Sequence, residues 1–280
     1  MSLFSRENKN KKNRPKYIDV HSHVSFPQYD HDRGAVLDRM RYKSVKTITV
    51  GVDLESSKRA VEIANQHDGM YASIGVHPAD NPEEGFNAED YRELAQNIEV
   101  VSVGECGLDY YRIEETDTKE KKRQEKVFRS QIEFAALEDL PLMLHMRPKK
   151  GTMDAYEDGL LILKEYKEKH GEKLRGNVHF FVGDTKIAKE YLQLGFTLSF
   201  TGIITFTNDF NDVIKETPLE MILTETDSPY ATPVPNRGKR NEPTYVSAVV
   251  DRIAELKELD NDELAKTVVE NAYRIFNIPD

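Results

Sequence analysis

At 280 residues and a formal net charge of −10, the chain has room for one large barrel-type domain, and its charge excludes a protein that coats nucleic acid by bulk attraction. A hydrophobic content of 38% suffices for a sizeable core, yet no apolar run approaches the roughly 20 residues of a membrane span. The one cysteine, Cys106, excludes an internal disulfide and points to a reducing, cytoplasmic setting.

The first 16 residues, MSLFSRENKNKKNRPK, are basic and polar and lack the apolar core of a secretory signal. They read as a disordered tail ahead of a single domain over residues 17–280. Within that domain short apolar, β-branched runs alternate with amphipathic segments. YIDV (17–20) is the first run, followed by a helical pattern over 32–41 with Ala35, Val36 and Met40 on one face. TITV (47–50), YASIGV (71–76) and VVSVG (100–104) come next. Residues 118–139 then carry Val127, Phe128, Ile132, Ala135 and Ala136 at core-facing helical spacing. LPLMLH (140–145), a helix over 153–170, GNVHFF (176–181), a helix over 184–194, FTLSF (196–200) and MILTE (221–225) complete the alternation. Residues 243–276 read as two helices broken near LDNDE, the second capped by Asp260 or Asn261.

Eight strand–helix repeats predict parallel strands joined by crossover helices. The two candidate architectures are a closed (β/α)8 TIM barrel and an open doubly wound sheet. No G-x-G-x-x-G or Walker A loop follows a strand, so the barrel is preferred, with its site at the C-terminal ends of the strands.

Ligand-type side chains fall at those ends: His21 and His23, then Glu105, His145, His179 and Asp227. Residues i and i+2 of a strand share a face, so His21 and His23 can hold one cation together. Either histidine alone would suit a core position; the pair, with further ligands converging on it, favours a metal. Gly104 and Gly107 let the backbone turn around Glu105, whose two oxygens are able to bridge two ions about 3.5–4 Å apart. Imidazole with carboxylate suits Mg²⁺, Mn²⁺ or Zn²⁺. Asp227 would ligate and accept a proton, with Glu225 behind it, although Asp-Ser-Pro also serves a plain turn. Arg147 and the loop cations Arg237, Lys239 and Arg240 are the candidate phosphate contacts, and Tyr111 and Tyr230 offer rings for a base.

The blocks IDVHSH, GVHP (75–78), VGECGLDYY, LMLHMR, TETDSPY and PNRGKRNEP (235–243), in this order, resemble the TatD family of metal-dependent deoxyribonucleases, amidohydrolase-like TIM-barrel hydrolases. The resemblance spans about residues 17–276. It implies a first metal at His21 and His23, a bridging Glu105, a second metal near His145 and His179, a ligating and proton-accepting Asp227, and His77 near substrate. It further implies phosphodiester hydrolysis by a hydroxide shared between two divalent ions. The substrate would be DNA, bound transiently and trimmed 3′ to 5′ from single-stranded or frayed ends, without organic cofactor or membrane. Two departures concern the pocket wall: Met146 stands where a small polar residue is usual, and the sixth block reads His179-Phe180-Phe181-Val182-Gly183 rather than H-C-F-S-G.

Two other readings compete. An amidohydrolase-type enzyme acting on an amide, or on an ester such as an aminoacyl ester, would use the same barrel. Its common carbamylated-lysine bridge is absent, because Glu105 occupies the fourth-strand position. A metal-stabilised binding protein is the third, and it leaves Asp227 without a purpose.

Overall fold

The computed structural model describes residues 14–114 and 116–279. Eight strands, β1 (Tyr17–Ser22), β2 (Val45–Val50), β3 (Met70–Ile74), β4 (Val100–Asp109), β5 (Leu142–Arg147), β6 (Gly176–Val178), β7 (Phe196–Phe200) and β8 (Ile222–Thr224), pair in parallel in sequence order. The helices between them are α1 (Arg33–Tyr42), α2 (Leu54–Gln66), α3 (Ala88–Ala95), α4 (Thr118–Glu138), α5 (Asp154–His170), α6 (Thr185–Gln193) and α7 (Asn211–Glu216). Two more, α8 (Val246–Lys257) and α9 (Asn261–Ile275), follow the last strand. This is the expected TIM barrel.

The seam between β1 and β8 is closed by the segment just past β8. Asp227 N donates to His21 O (2.9 Å), His23 N donates to Ser228 O (2.7 Å), and Ser22 bridges Ser228. The buried Asp19 carboxylate accepts from Thr226 N (2.8 Å) and Thr226 Oγ1 (2.5 Å). Closing the barrel therefore carries Asp227, the last ligand-type residue in the chain, to the first two, His21 and His23.

Strand alternation divides the core. Ile18, Val20, Ile48, Val50, Tyr71, Val101, Met143 and Leu223 cluster with the end of α9 and with Ile278. The other strand faces, among them Ala72, Ile74, Leu142, Leu144 and Leu198, pack against the helices. In α4 the predicted stripe from Val127 to Ala136 is buried, and Asp260 caps α9 by accepting from Asp262 N and Glu263 N. Ala35 departs from expectation: α1 turns Val36, Leu37 and Met40 inward and leaves Ala35 exposed. Residues 1–13 of the predicted tail lie outside the described residues. Its last part is not a free tail, because Arg14 stacks over the Tyr273 ring (4.4 Å) and Lys16 pairs with Asp262 (3.0 Å). The α9 face supplies partners that a local reading cannot see.

β4 is longer than predicted. VVSVG was expected to end at Gly104, yet the strand runs to Asp109 through a shift of register between Val103 and Cys106. Gly104 and Gly107 are required there, since a Cβ on either would strike the β5 carbonyl oxygens of Met143 or His145. Glu105 accordingly sits within a strand at this irregularity rather than in a loop after one.

Candidate metal centre

Four side chains from three places in the chain converge at the seam. His21 Nε2 lies 3.3 Å from His23 Nε2 and 3.4 Å from Glu105 Oε2. Asp227 Oδ1 is 3.8 Å from His21 Nε2 and 3.4 Å from His23 Nε2, and Glu105 Oε2 is 3.8 Å from His23 Nε2. Donors bound at about 2.0–2.2 Å around a tetrahedral ion stand about 3.3–3.6 Å apart, so the set fits a divalent cation. Asp227 is brought there by a left-handed backbone, φ 52°.

The other oxygen of Glu105 faces a second set. Oε1 is 2.6 Å from His145 Nδ1 and 2.8 Å from His179 Nε2, and these nitrogens are 3.4 Å apart. His77 Nε2 faces the same set, 3.3 Å from His145 Nδ1 and 3.7 Å from Glu105 Oε1; its Nδ1 accepts from Ala79 N and Asp80 N, which leaves the hydrogen of the neutral ring on Nε2.

The back of each ring is held. His23 Nδ1 meets Val50 O (3.0 Å), and the His23 ring stacks on Phe26 (4.4 Å). His179 Nδ1 meets Glu225 Oε1 (3.2 Å); Glu225 in turn accepts from Phe180 N (2.9 Å) and Ser199 Oγ (2.5 Å). His145 Nε2 meets Asp109 Oδ2 (3.1 Å). Such partners fix the tautomer and leave the facing nitrogen for an ion. His21 Nδ1 has no hydrogen-bond partner among the described residues; that ring is held by stacking on His179 at 3.8 Å.

This arrangement is a charge cluster as well as a donor set. Burial alone would raise the Glu105 carboxyl, but the imidazoles of His179, His21 and His77 outweigh it and hold Glu105 well below the usual range. Burial opposes a charge on His145 too, yet its bonds to Asp109 and Glu105 lift it to about 9. His77 is pushed down to about 3 by burial and by neighbouring His145.

The comparisons with known proteins agree with this geometry. The family model for TatD related DNase matches residues 18–277. The chain belongs to the TatD family of metal-dependent hydrolases. Among TatD-type relatives, YabD of Bacillus subtilis, described as an uncharacterized metal-dependent hydrolase, is 41% identical over 93% of this chain and 99% of its own. YcfH of Escherichia coli, described likewise, is 36% identical over 93% and 96%. The crystal structure of the TatD homologue YjjV from Escherichia coli superposes with a TM-score of 0.83 at 28% identity, covering 94% of this chain and 99% of that one. This TatD enzyme has no helix among its described residues long and apolar enough to cross a membrane.

A cavity of about 830 Å³ opens over both donor sets. Phe26, Ile113, Met146 and Phe180 form an apolar wall, and Arg112, Arg147 and Tyr230 line the cavity together with the acidic Asp80, Asp109 and Glu120. Both departures from the TatD pattern therefore face the cavity. Arg237, Lys239 and Arg240 do not line it. Arg240 is clamped on Asp32 at 2.8 and 2.6 Å and reaches Gln28 O (2.7 Å), while Arg237 stacks on Phe206 at 3.6 Å. The basic loop follows the last strand, but Arg240 ties its end to the start of α1 and Arg237 packs beside the turn after β7, so none of its cations enters the cavity. Tyr111 is a half-exposed platform under Arg147, at 4.1 Å. Sequence reasoning missed Asp109 and Arg112. The signal for Asp109 was alternation: Glu105, Gly107 and Asp109 share one face of a strand, visible only once β4 is known to continue.

Proposed function

We propose that this enzyme hydrolyses phosphodiester bonds in DNA, removing nucleotides from the 3′ ends of single or frayed strands. His21, His23, Glu105 and Asp227 would hold one divalent cation, and Glu105, His145 and His179 a second. The observation that carries the reading is the split of Glu105, with Oε2 turned to the first histidine pair and Oε1 to the second. A one-ion site has no use for that division.

Bound cations would supply Lewis-acid charge and lower the pKa of water from 15.7 toward about 7. The protein's own groups then have separate tasks. Asp227 Oδ1, which faces His21 and His23, accepts the proton of the attacking water. His77, kept neutral by burial, points Nε2 at the Glu105–His145 edge, where it can donate to a phosphoryl oxygen. Arg147 and Arg112 supply guanidinium forks at the cavity wall for the non-reacting oxygens. Phe26, Phe180 and Tyr230 offer faces to a base. The donor sets lie at the bottom of a half-open cavity rather than on a flat surface, which favours a strand end as the reacting part.

The apolar wall supports one other assignment, hydrolysis of an amide or of an aminoacyl ester. A single assay separates the two: purified protein with Mg²⁺ or Mn²⁺, end-labelled single-stranded DNA, and in parallel a cyclic amide and an aminoacyl ester. Stepwise shortening of the labelled strand, lost in Glu105→Ala, supports the phosphodiesterase. Turnover of the amide or ester with intact DNA rejects it.

A further inference from the structure

We propose that a DNA strand leaving the cavity is gripped on a second surface, a stacking rim formed by Tyr230, Phe206 and Val234 with the cations Arg237 and Lys239. This rests on the phosphodiesterase reading and adds a subsite that the metal centre does not contain.

Two loops of the catalytic face build the rim: a short turn after β7, Gly202–Thr205, and the stretch 230–239 after β8. They are locked together, because Val234 N donates to Thr205 Oγ1 (3.0 Å) and Gly202 lies so close to Ala231 O that no side chain would fit. Of the eight large hydrophobic side chains exposed among the described residues, three are here: Tyr230 (50%), Val234 (45%) and Phe206 (44%). Tyr230 is also a wall of the cavity, with its ring 6.3 Å from that of His23, so the rim continues directly from the metal centre.

The cations identify the ligand. Arg237 sits over the Phe206 ring at 3.6 Å and, like Lys239, forms no ion pair with a carboxylate among the described residues; Arg240 next to them is consumed by Asp32. A guanidinium stacked on a ring keeps its N–H groups free at the edge, where a phosphate can meet them. Exposed rings alternating with unpaired cations suit a single strand: bases stack without regard to sequence, and the backbone meets the charges. Paired bases offer no free faces, so duplex DNA would not be held.

The test uses the metal-loaded enzyme in Mn²⁺ with two substrates, 5′-fluorescein dT20 and the dinucleotide dTpdT, which can fill the cavity beside Tyr230 without using Phe206 and Arg237, neither of which lines it. For Phe206→Ala combined with Arg237→Ala, KM for dT20 rises about 5- to 50-fold. Turnover of dTpdT stays within about twofold of wild type, and Phe206→Trp alone retains the dT20 affinity. The double variant also flattens the dependence of log(1/KM) on log salt by about 0.7, one phosphate contact. Equal KM for dT20 in wild type and double variant, with cleavage intact, overturns the rim alone. Failure of the wild type to cleave either substrate overturns the phosphodiesterase reading and the rim with it.

Discussion

Replacing Glu225 by glutamine tests whether the second donor set binds an ion separately from the first. Glu225 is fully buried and has three neighbours: His179 Nδ1, Phe180 N and Ser199 Oγ. Glutamine fits the same space, its carbonyl can still accept from His179 and Phe180, and its amide can donate to Ser199. Shape and hydrogen bonds persist while one negative charge disappears. An ion on the far side of the His179 ring would stand about 7 Å from that charge; at an effective dielectric near 20 a dication there gains about 5 kcal/mol. Dehydration of the carboxylate offsets part of this, and partners behind metal-bound histidines are worth 10–100-fold in affinity, about 1.4–2.7 kcal/mol. We therefore expect Glu225→Gln to weaken one Mn²⁺ binding event by about 10–100-fold and to leave the other, at His21, His23 and Asp227, within about threefold. Isothermal titration calorimetry of the chelator-stripped protein resolves the two. A single binding event in the wild type, or equal weakening of both in the variant, would refute the two-set reasoning.

Asp227→Asn keeps the main-chain bond to His21 O but removes the proposed proton acceptor, so kcat on DNA should fall by about 10²–10⁴ with KM nearly unchanged; a drop under tenfold would reassign the base. His145 binds its proton more tightly in the folded protein, at about 9 against roughly 6.5 unfolded, so it stabilises fully below pH 6.5 and that stabilisation is lost as pH rises through 9. In EDTA the melting temperature should decline between pH 7 and 9, and saturating Mn²⁺ should remove that decline because an ion takes the place of the proton; a flat EDTA profile would contradict the assignment. Arg147→Ala should raise KM for DNA about tenfold. Arg240→Ala should leave KM alone and cost at most about 1 kcal/mol of stability, because its half-exposed pair with Asp32 is partly screened. The reverse order of effects would return the basic loop to the cavity.

The barrel and most of the centre were legible in the chain because they rest on periodicity. All eight apolar runs became strands, since buried parallel strands need continuous β-branched and apolar residues whatever surrounds them. His21 and His145 stand in the last residues of their strands and His23, His179 and Asp227 just past theirs, so a parallel barrel brings them to one face. The side chains that depend on pairing between distant segments were not legible. The extension of β4, and with it Asp109 behind His145, follows from its ladder with β5. The fate of Arg237 and Arg240 follows from Phe206 and Asp32, residues that no local pattern ties to them. Sequence alone determined which histidines reach the catalytic face, with Glu105 and Asp227, because strand alternation is a local property. Only the tertiary structure decided which of them meet, how Glu105 divides its two oxygens, and which cations remain free for a phosphate, because those depend on register and on through-space charge.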